Sequence, residues 1–233
     1  MALTVKGVEL ISTVIKNNQS GAIKKIVSFG YPIILAEPKK VEELFKVSLD
    51  DNDMLSTVYA QRVRKIHGKS NSFFVDPQKL FKKLGAILYT IDILDPYKCE
   101  IIADLNEELP LSIYTQCKEA DLCIDPGTIE HVFYAGNAFV LLYTLCKRNG
   151  HILHMSAPIA PNHGLWNPQE KLFLKFYMAN HAEIIVAEKY WKNESIKPFP
   201  FIGKRYPLTR ASETRSTVFV RKTNHSLVIP KDY

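Results

Sequence analysis

The chain has 233 residues, 46% of them apolar and 23% charged, and a formal net charge of +6. That length can close around one sizeable core, and that composition is the ordinary one of a globular protein. No stretch approaches the roughly 18 uninterrupted apolar residues of a membrane span, and there is neither an internal repeat nor a low-complexity tract.

From the amino end, the spacing of Val5, Val8, Ile11 and Ile15 predicts an amphipathic helix within residues 1–21. Lys6 and Glu9 interrupt it, so it lacks the apolar heart of a secretory signal. A first strand is expected at residues 24–35. Residues 36–75 fit no regular strand-helix step and are expected to be an insertion, a helical cap or lid. Asp76 then offers a cap, Pro77 a first helical position and Gly85 a stop, which sets a helix before a second strand at 86–94. Further strands are predicted at 99–105 and 120–125. The next helix covers 137–150, with Lys147 and Arg148 suiting its carboxyl end and Gly150 stopping it. A fifth strand spans 151–158. Asn167, Pro168 and Glu170 read as a helix start with a capping box. Two last strands, at 182–191 and 216–223, flank a Pro-rich loop. The pattern predicts an α/β fold: a single Rossmann-like, doubly wound domain with a seven-stranded, mostly parallel sheet, an N-terminal helical segment and an insertion after the first strand.

Cys99, Cys117, Cys123 and Cys146 form no Cys-x-x-Cys and stand at no zinc-like spacing from histidine. They read as reduced, packed thiols, consistent with a cytoplasmic chain. Residues 189–233 hold ten Lys/Arg against three Asp/Glu, leaving residues 1–188 at −1. A basic end of this kind suits either an anionic partner or a solvated surface.

In an open parallel sheet, ligands bind beyond the carboxyl ends of the strands, where strand order reverses. Polar residues gather at those predicted ends: Ser28, Gly30 and Tyr31 after the first strand, and Asp92 after the second. Asp104, Leu105 and Asn106 follow the third, Asp125, Gly127, Thr128, Glu130 and His131 the fourth, and Asn162 and His163 the fifth. The first loop lacks both G-x-G-x-x-G and the phosphate-loop signature, and Pro32 has no N–H to offer. It is a poor pyrophosphate cradle and suits an adenosine without phosphates, with Asp92 either accepting from a ribose diol or acting as a turn residue.

The ordered segments "SFGYP", "TIDILD", "IIADLNEELP", "ADLCIDPGTIEHVF" and "GHILHMSAPIAPNHGLWNPQEKLF" resemble class I S-adenosylmethionine-dependent methyltransferases, over residues 22–190. The resemblance implies that S-adenosylmethionine is the cofactor. It places Gly30 and Tyr31 by the methionine part, Asp92 at the ribose and Asp104, Leu105 and Asn106 at the adenine. The segment from Asp125 to His131, Gly127 included, would stand beside the sulfonium. The first loop departs from the family, with Ser28 and a lone Gly30 where an acidic residue and Gly-x-Gly are usual.

Methyl transfer to oxygen calls for alignment and a base with a pKa near working pH. His163 or His131 is the expected catalytic base, with His154 third because it lies within an apolar strand, and Glu130 or Asn162 orients substrate; Lys204 and Arg205 are expected to hold an acidic or phosphorylated group. The expected acceptor is a small hydroxylated or phosphorylated metabolite or sugar intermediate, anionic ones included. Three alternatives stand beside this: Asp125, Glu130 and a histidine holding Mg²⁺, a catalytically silent binding protein, and, ranked low, nucleic-acid methylation. No metal enters the principal assignment.

Overall fold

In the computed structural model, residues 2–17, 23–68, 73–94, 97, 99–159, 163–191, 197–198, 214–223 and 227–230 are described. The chain begins with β1 (Ala2–Leu3) and α1 (Val5–Asn17), then β2 (Lys25–Phe29) and β3 (Ile33–Ile34). Next come α2 (Pro38–Phe45), a 3₁₀ turn at Asp51–Asp53, α3 (Thr57–His67) and α4 (Pro77–Lys83). β4 (Ile87–Asp92), β5 (Ile101–Ile102), α5 (Leu111–Cys117) and β6 (Ala120–Asp125) follow. A 3₁₀ turn at Ile129–His131 leads to α6 (Ala135–Leu145), β7 (Cys146–Ile159) and α7 (Glu170–Ala179). The last strands are β8 (Glu183–Trp191), β9 (Lys197–Pro198) and β10 (Thr214–Arg221).

The main sheet runs β5-β4-β2-β6-β7-β10-β8-β9. β5, β4, β2, β6 and β7 pair in parallel, while β10 lies antiparallel between β7 and β8. Leaving aside the two-residue edge strand β9, this is the expected seven-stranded, mostly parallel, doubly wound sheet. Strand order reverses between β2 and β6, so their carboxyl ends frame the ligand crevice of such a fold. All six residues of β6 are buried, as a central parallel strand covered on both faces requires. One core joins the sheet to α6 and α7 through Phe139, Leu142, Phe173 and Tyr177. The opposite core packs Val8, Ile11, Val41 and Leu80 from α1, α2 and α4. Residues 36–75 add a third cluster, in which Leu55, Ala60, Val63 and Phe74 surround Tyr31 and Tyr97.

Three local expectations are corrected. The strand expected at 24–35 breaks at Gly30, whose φ of 78° turns the chain out of the sheet, and Ile33–Ile34 pairs instead with Ala2–Leu3. The helix expected over 137–150 stops at Leu145. Cys146 already pairs with Ala120, and Asn149 and Gly150 exchange backbone hydrogen bonds with Lys222. Sheet pairing thus overrides the dipole signal of Lys147 and Arg148. The helix expected from Asn167 begins at Glu170, and no side chain caps its start. Against these, Asp76 caps α4 by accepting from the backbone N–H groups of Gln78 and Lys79.

Candidate functional site

The first loop is set by glycine geometry and a short hydroxyl contact. Gly30 N–H donates to the carbonyl of Ile91 at 2.6 Å, and the Ser28 hydroxyl donates to the carbonyl of Gly30 at 2.8 Å. Tyr31 turns away from the crevice: its hydroxyl donates to Asp76 at 2.7 Å and its ring stacks on Tyr97, centroids 5.4 Å apart. Burial, reinforced by the Asp76 carboxylate, holds the Tyr31 phenol protonated far above its ordinary range. Its side chain is therefore committed to the helical cap.

Asp92 ends β4 beside this loop, only 7% exposed. Its Oδ1 accepts weakly from Leu94 N–H at 3.5 Å, and its Oδ2 has no hydrogen-bond partner among the described residues. Burial raises its pKa above the ordinary carboxylate value, while backbone N–H groups and the nearby His131 pull the other way. A buried carboxylate oxygen left without a donor costs free energy, so a donor-bearing ligand would complete it. Asp104 and Asn106 form a local knot, with Asp104 Oδ1 accepting from both the backbone and the side-chain amide of Asn106. The Asn106 carbonyl oxygen in turn accepts from Tyr134 N–H at 2.9 Å. Leu105 is buried in the core under this loop.

Across the switch point, Asp125 Oδ1 accepts from the backbone N–H groups of Gly127, Thr128 and Ile129 at 3.3, 2.8 and 3.2 Å. Its Oδ2 lies 2.9 Å from Nδ1 of His154, whose Nε2 lies 2.6 Å from the Tyr177 hydroxyl. Asp125 is thus spent on its own turn and on a buried relay, not turned toward a sulfonium. Gly127, at φ 93°, lies where an added Cβ would stand 3.1 Å from both Glu130 Oε1 and the carbonyl of Met155. The Thr128 hydroxyl donates to the carbonyl of Phe29, tying β6 to β2 across the crevice.

Glu130, His131 and His163 converge, although they come from two loops. One ligand-capable atom of each lies within 4.8 Å of the others. Glu130 is buried, with His163 Nε2 standing 3.8 Å from its Oε1. The imidazoles of His131 and His163 meet edge to face at 4.8 Å. Solvent reaches one side of the His131 ring, yet crowding on the other lowers its pKa below the usual 6.5; His163 adds to this and Glu130 opposes it. Leu165 N–H donates to the carbonyl of Glu130 at 2.8 Å, and Trp166 Nε1 to that of Ile129 at 3.1 Å, clasping the two loops together.

Beside this cluster opens a cleft of about 700 Å³ whose walls include Phe133, Tyr134, Phe139, Leu165, Trp166 and Leu172. Beyond Trp166 and Leu172 a second hollow, about 370 Å³, carries Lys171 and Lys175. The sequence reading missed both. The signal available was the aromatic pair Phe133-Tyr134, two residues past His131, which stays exposed where a core would have taken it. Asn162, Lys204 and Arg205 lie outside the described residues.

No family model and no curated protein matches the chain. Among solved structures it is similar to the N-methyltransferase NodS of Bradyrhizobium japonicum bound to S-adenosyl-L-homocysteine, at 10% identity, over 94% of this chain and 87% of that one, with a TM-score of 0.47. It is also similar to the 1,6-didemethyltoxoflavin-N1-methyltransferase of Burkholderia thailandensis, bound to 1,6-didemethyltoxoflavin and S-adenosylhomocysteine. There the identity is 11%, over 93% and 79% of the two chains, with a TM-score of 0.44. A TehB-like SAM-dependent methyltransferase from Corynebacterium glutamicum is similar at 17% identity over 71% of this chain and 97% of that one, with a TM-score of 0.41. These likenesses are distant.

Proposed function

We propose that the chain is an S-adenosylmethionine-dependent methyltransferase that methylates an oxygen of a small acceptor. The observation that carries this is the buried Asp92 Oδ2, without a hydrogen-bond partner among the described residues, at the carboxyl end of β4, beside the Gly30 turn and next to the reversal of strand order. An adenosine ribose brings two hydroxyl donors and no phosphate, which matches both the open carboxylate and the missing phosphate cradle. Gly30 and the backbone of Tyr31 would hold the methionine portion, and the Asp104–Asn106 knot would border the adenine. When bound, the cofactor supplies an electrophilic methyl carbon.

The chain's own part is to align the acceptor and take its proton. His131 and His163 stand at the mouth of the crevice with Glu130 fixed behind them. His131, its pKa lowered by crowding, is neutral and able to accept a proton at physiological pH. The aromatic cleft beside them fits the apolar face of an acceptor. Lys171 and Lys175 in the adjoining hollow suit an anionic group on the same molecule. A small hydroxylated metabolite bearing an acidic or phosphorylated substituent meets both demands.

One feature favours a catalytically silent binding protein instead: Ser28 stands where the family has an acidic residue, and its hydroxyl is already used by Gly30. Calorimetry with S-adenosylhomocysteine separates the two. One-to-one binding in the micromolar range, about −8 kcal/mol, supports the methyltransferase; millimolar or weaker binding supports the silent protein.

A further inference from the structure

We infer that Glu130, His131 and His163 form a binding site for one divalent transition-metal ion of the zinc class, open to the crevice. They are the one group of three potential metal ligands found among the described residues. Their geometry is short of closed but near it. An ion about 2.0–2.2 Å from each donor, at tetrahedral angles, sets donor atoms roughly 3.4 Å apart. His163 Nε2 and Glu130 Oε1 are 3.8 Å apart, too far for a hydrogen bond and close to the span an ion would bridge. All three donors lie within 4.8 Å, and the two rings that must move are the exposed members.

The site is also built. Glu130 is 1% exposed, so its carboxylate has little freedom. Gly164, at φ 70°, lets the second loop come against it, since a Cβ there would stand 2.6 Å from the Glu130 carbonyl oxygen. Leu165 N–H and Trp166 Nε1 then pin the loops, setting His163 opposite Glu130. Two imidazoles and one carboxylate on one side leave positions open on the other, the pattern of ions that also take up a reactant. Nitrogen donors select against Mg²⁺, which prefers oxygen ligands in a strict octahedron. Asp125, expected as a ligand if a metal took part, is excluded by its bonds to the turn and to His154. The four cysteines are buried elsewhere and none is disulfide-bonded.

With the ion bound, His131 and His163 would serve as its ligands and not as bases, and the ion would replace that role by lowering the pKa of a ligated acceptor hydroxyl, whose proton then leaves to solvent. That role rests on the methyltransferase function proposed above; the ion site itself does not. The test titrates the metal-free full chain with Zn²⁺ by calorimetry, and with Co²⁺ by visible absorption. Separate titrations use Mg²⁺ and S-adenosylhomocysteine. The expected result is one Zn²⁺ per chain and a Co²⁺ spectrum of low coordination number. His163→Ala, an exposed change that leaves the fold intact, and Glu130→Gln should each weaken Zn²⁺ by at least about 100-fold, the upper end of what losing a mere supporting contact does. Absence of a one-to-one Zn²⁺ site, binding that survives His163→Ala, or Mg²⁺ binding as tightly as Zn²⁺ overturns the inference. Zn²⁺ binding without S-adenosylhomocysteine binding sustains the ion site and removes the methyltransferase; the reverse result does the opposite.

Discussion

Asp125 and His154 face each other in register on β6 and β7, their carboxylate and imidazole 2.9 Å apart and each side chain 1% exposed. The same carboxylate gathers three backbone N–H groups of the following turn, so one residue locks the strand pairing and the loop that carries Glu130 and His131. Tyr177 of α7 closes the relay on the far side of the ring, and Phe139 stacks on it at 4.8 Å.

Removing Asp125 should therefore cost stability before it costs chemistry. Asp125→Ala leaves His154 and three amides without their acceptor, and a loss of about 3–5 kcal/mol is expected. Tyr177→Phe removes one hydroxyl and should cost about 1–3 kcal/mol. Urea unfolding measures both, and an Asp125→Ala protein as stable as the parent would mean the relay is not what holds this loop.

Asp92 should show the opposite balance. Folding withdraws its carboxyl from water, so the folded state holds that proton more tightly than the unfolded chain does. Its contribution is therefore most favourable below the unfolded value of 3.8 and is lost as pH rises through the raised folded value. Asp92→Asn should accordingly melt higher than the parent at pH 7, with the gap closing toward pH 4. The same change should weaken S-adenosylhomocysteine by roughly 10- to 150-fold, the worth of about 1.5–3 kcal/mol for hydrogen bonds to a charged group. Thermal melts across pH, together with calorimetry, check both halves.

Gly164 tests the clasp between the two loops. Gly164→Ala forces a side chain at φ 70° and a Cβ 2.6 Å from the Glu130 carbonyl oxygen. A cost of about 1–3 kcal/mol is expected, or roughly 2–12 °C in Tm for a chain of this size. Gly68, also at positive φ but with open space around it, is the control; Gly68→Ala should cost less.

If His131 is the proton acceptor, turnover should rise with pH along a limb centred below 6.5, because crowding lowers its pKa. His131→Gln should then reduce kcat by about 10²–10⁴-fold. Activity and a basic limb retained in His131→Gln would pass the role to His163.

Much of this architecture was legible because local chemistry and tertiary structure agree. Asp76, Pro77 and Gly85 bracket α4 as their side chains dictate, with Gly85 at φ 81°. The short apolar runs of β4 and β6, with helical periodicity between them, announced a parallel sheet. The meeting of Glu130 and His131 with His163 could be anticipated, since both loops leave the same end of neighbouring strands. What stayed hidden depends on partners distant in sequence. Nothing near Leu145 shows that Lys222 will claim the backbone of residues 149–150, or that Tyr97 and Asp76 will draw Tyr31 away from the crevice. The inward turn of Asp125 is likewise a matter of which strand lies beside it. The aromatic cleft escaped because apolar residues that line a cavity and apolar residues that fill a core look alike in sequence.

The most direct test is a crystal structure of the chain with S-adenosylhomocysteine. Methyl transfer at this site predicts the ribose hydroxyls about 2.5–3.0 Å from the Asp92 carboxylate, the amino-acid portion against Gly30, and the sulfur facing Glu130, His131 and His163. A ligand bound elsewhere, or a crevice beside Gly30 and Asp92 filled by the chain's own side chains, would contradict it.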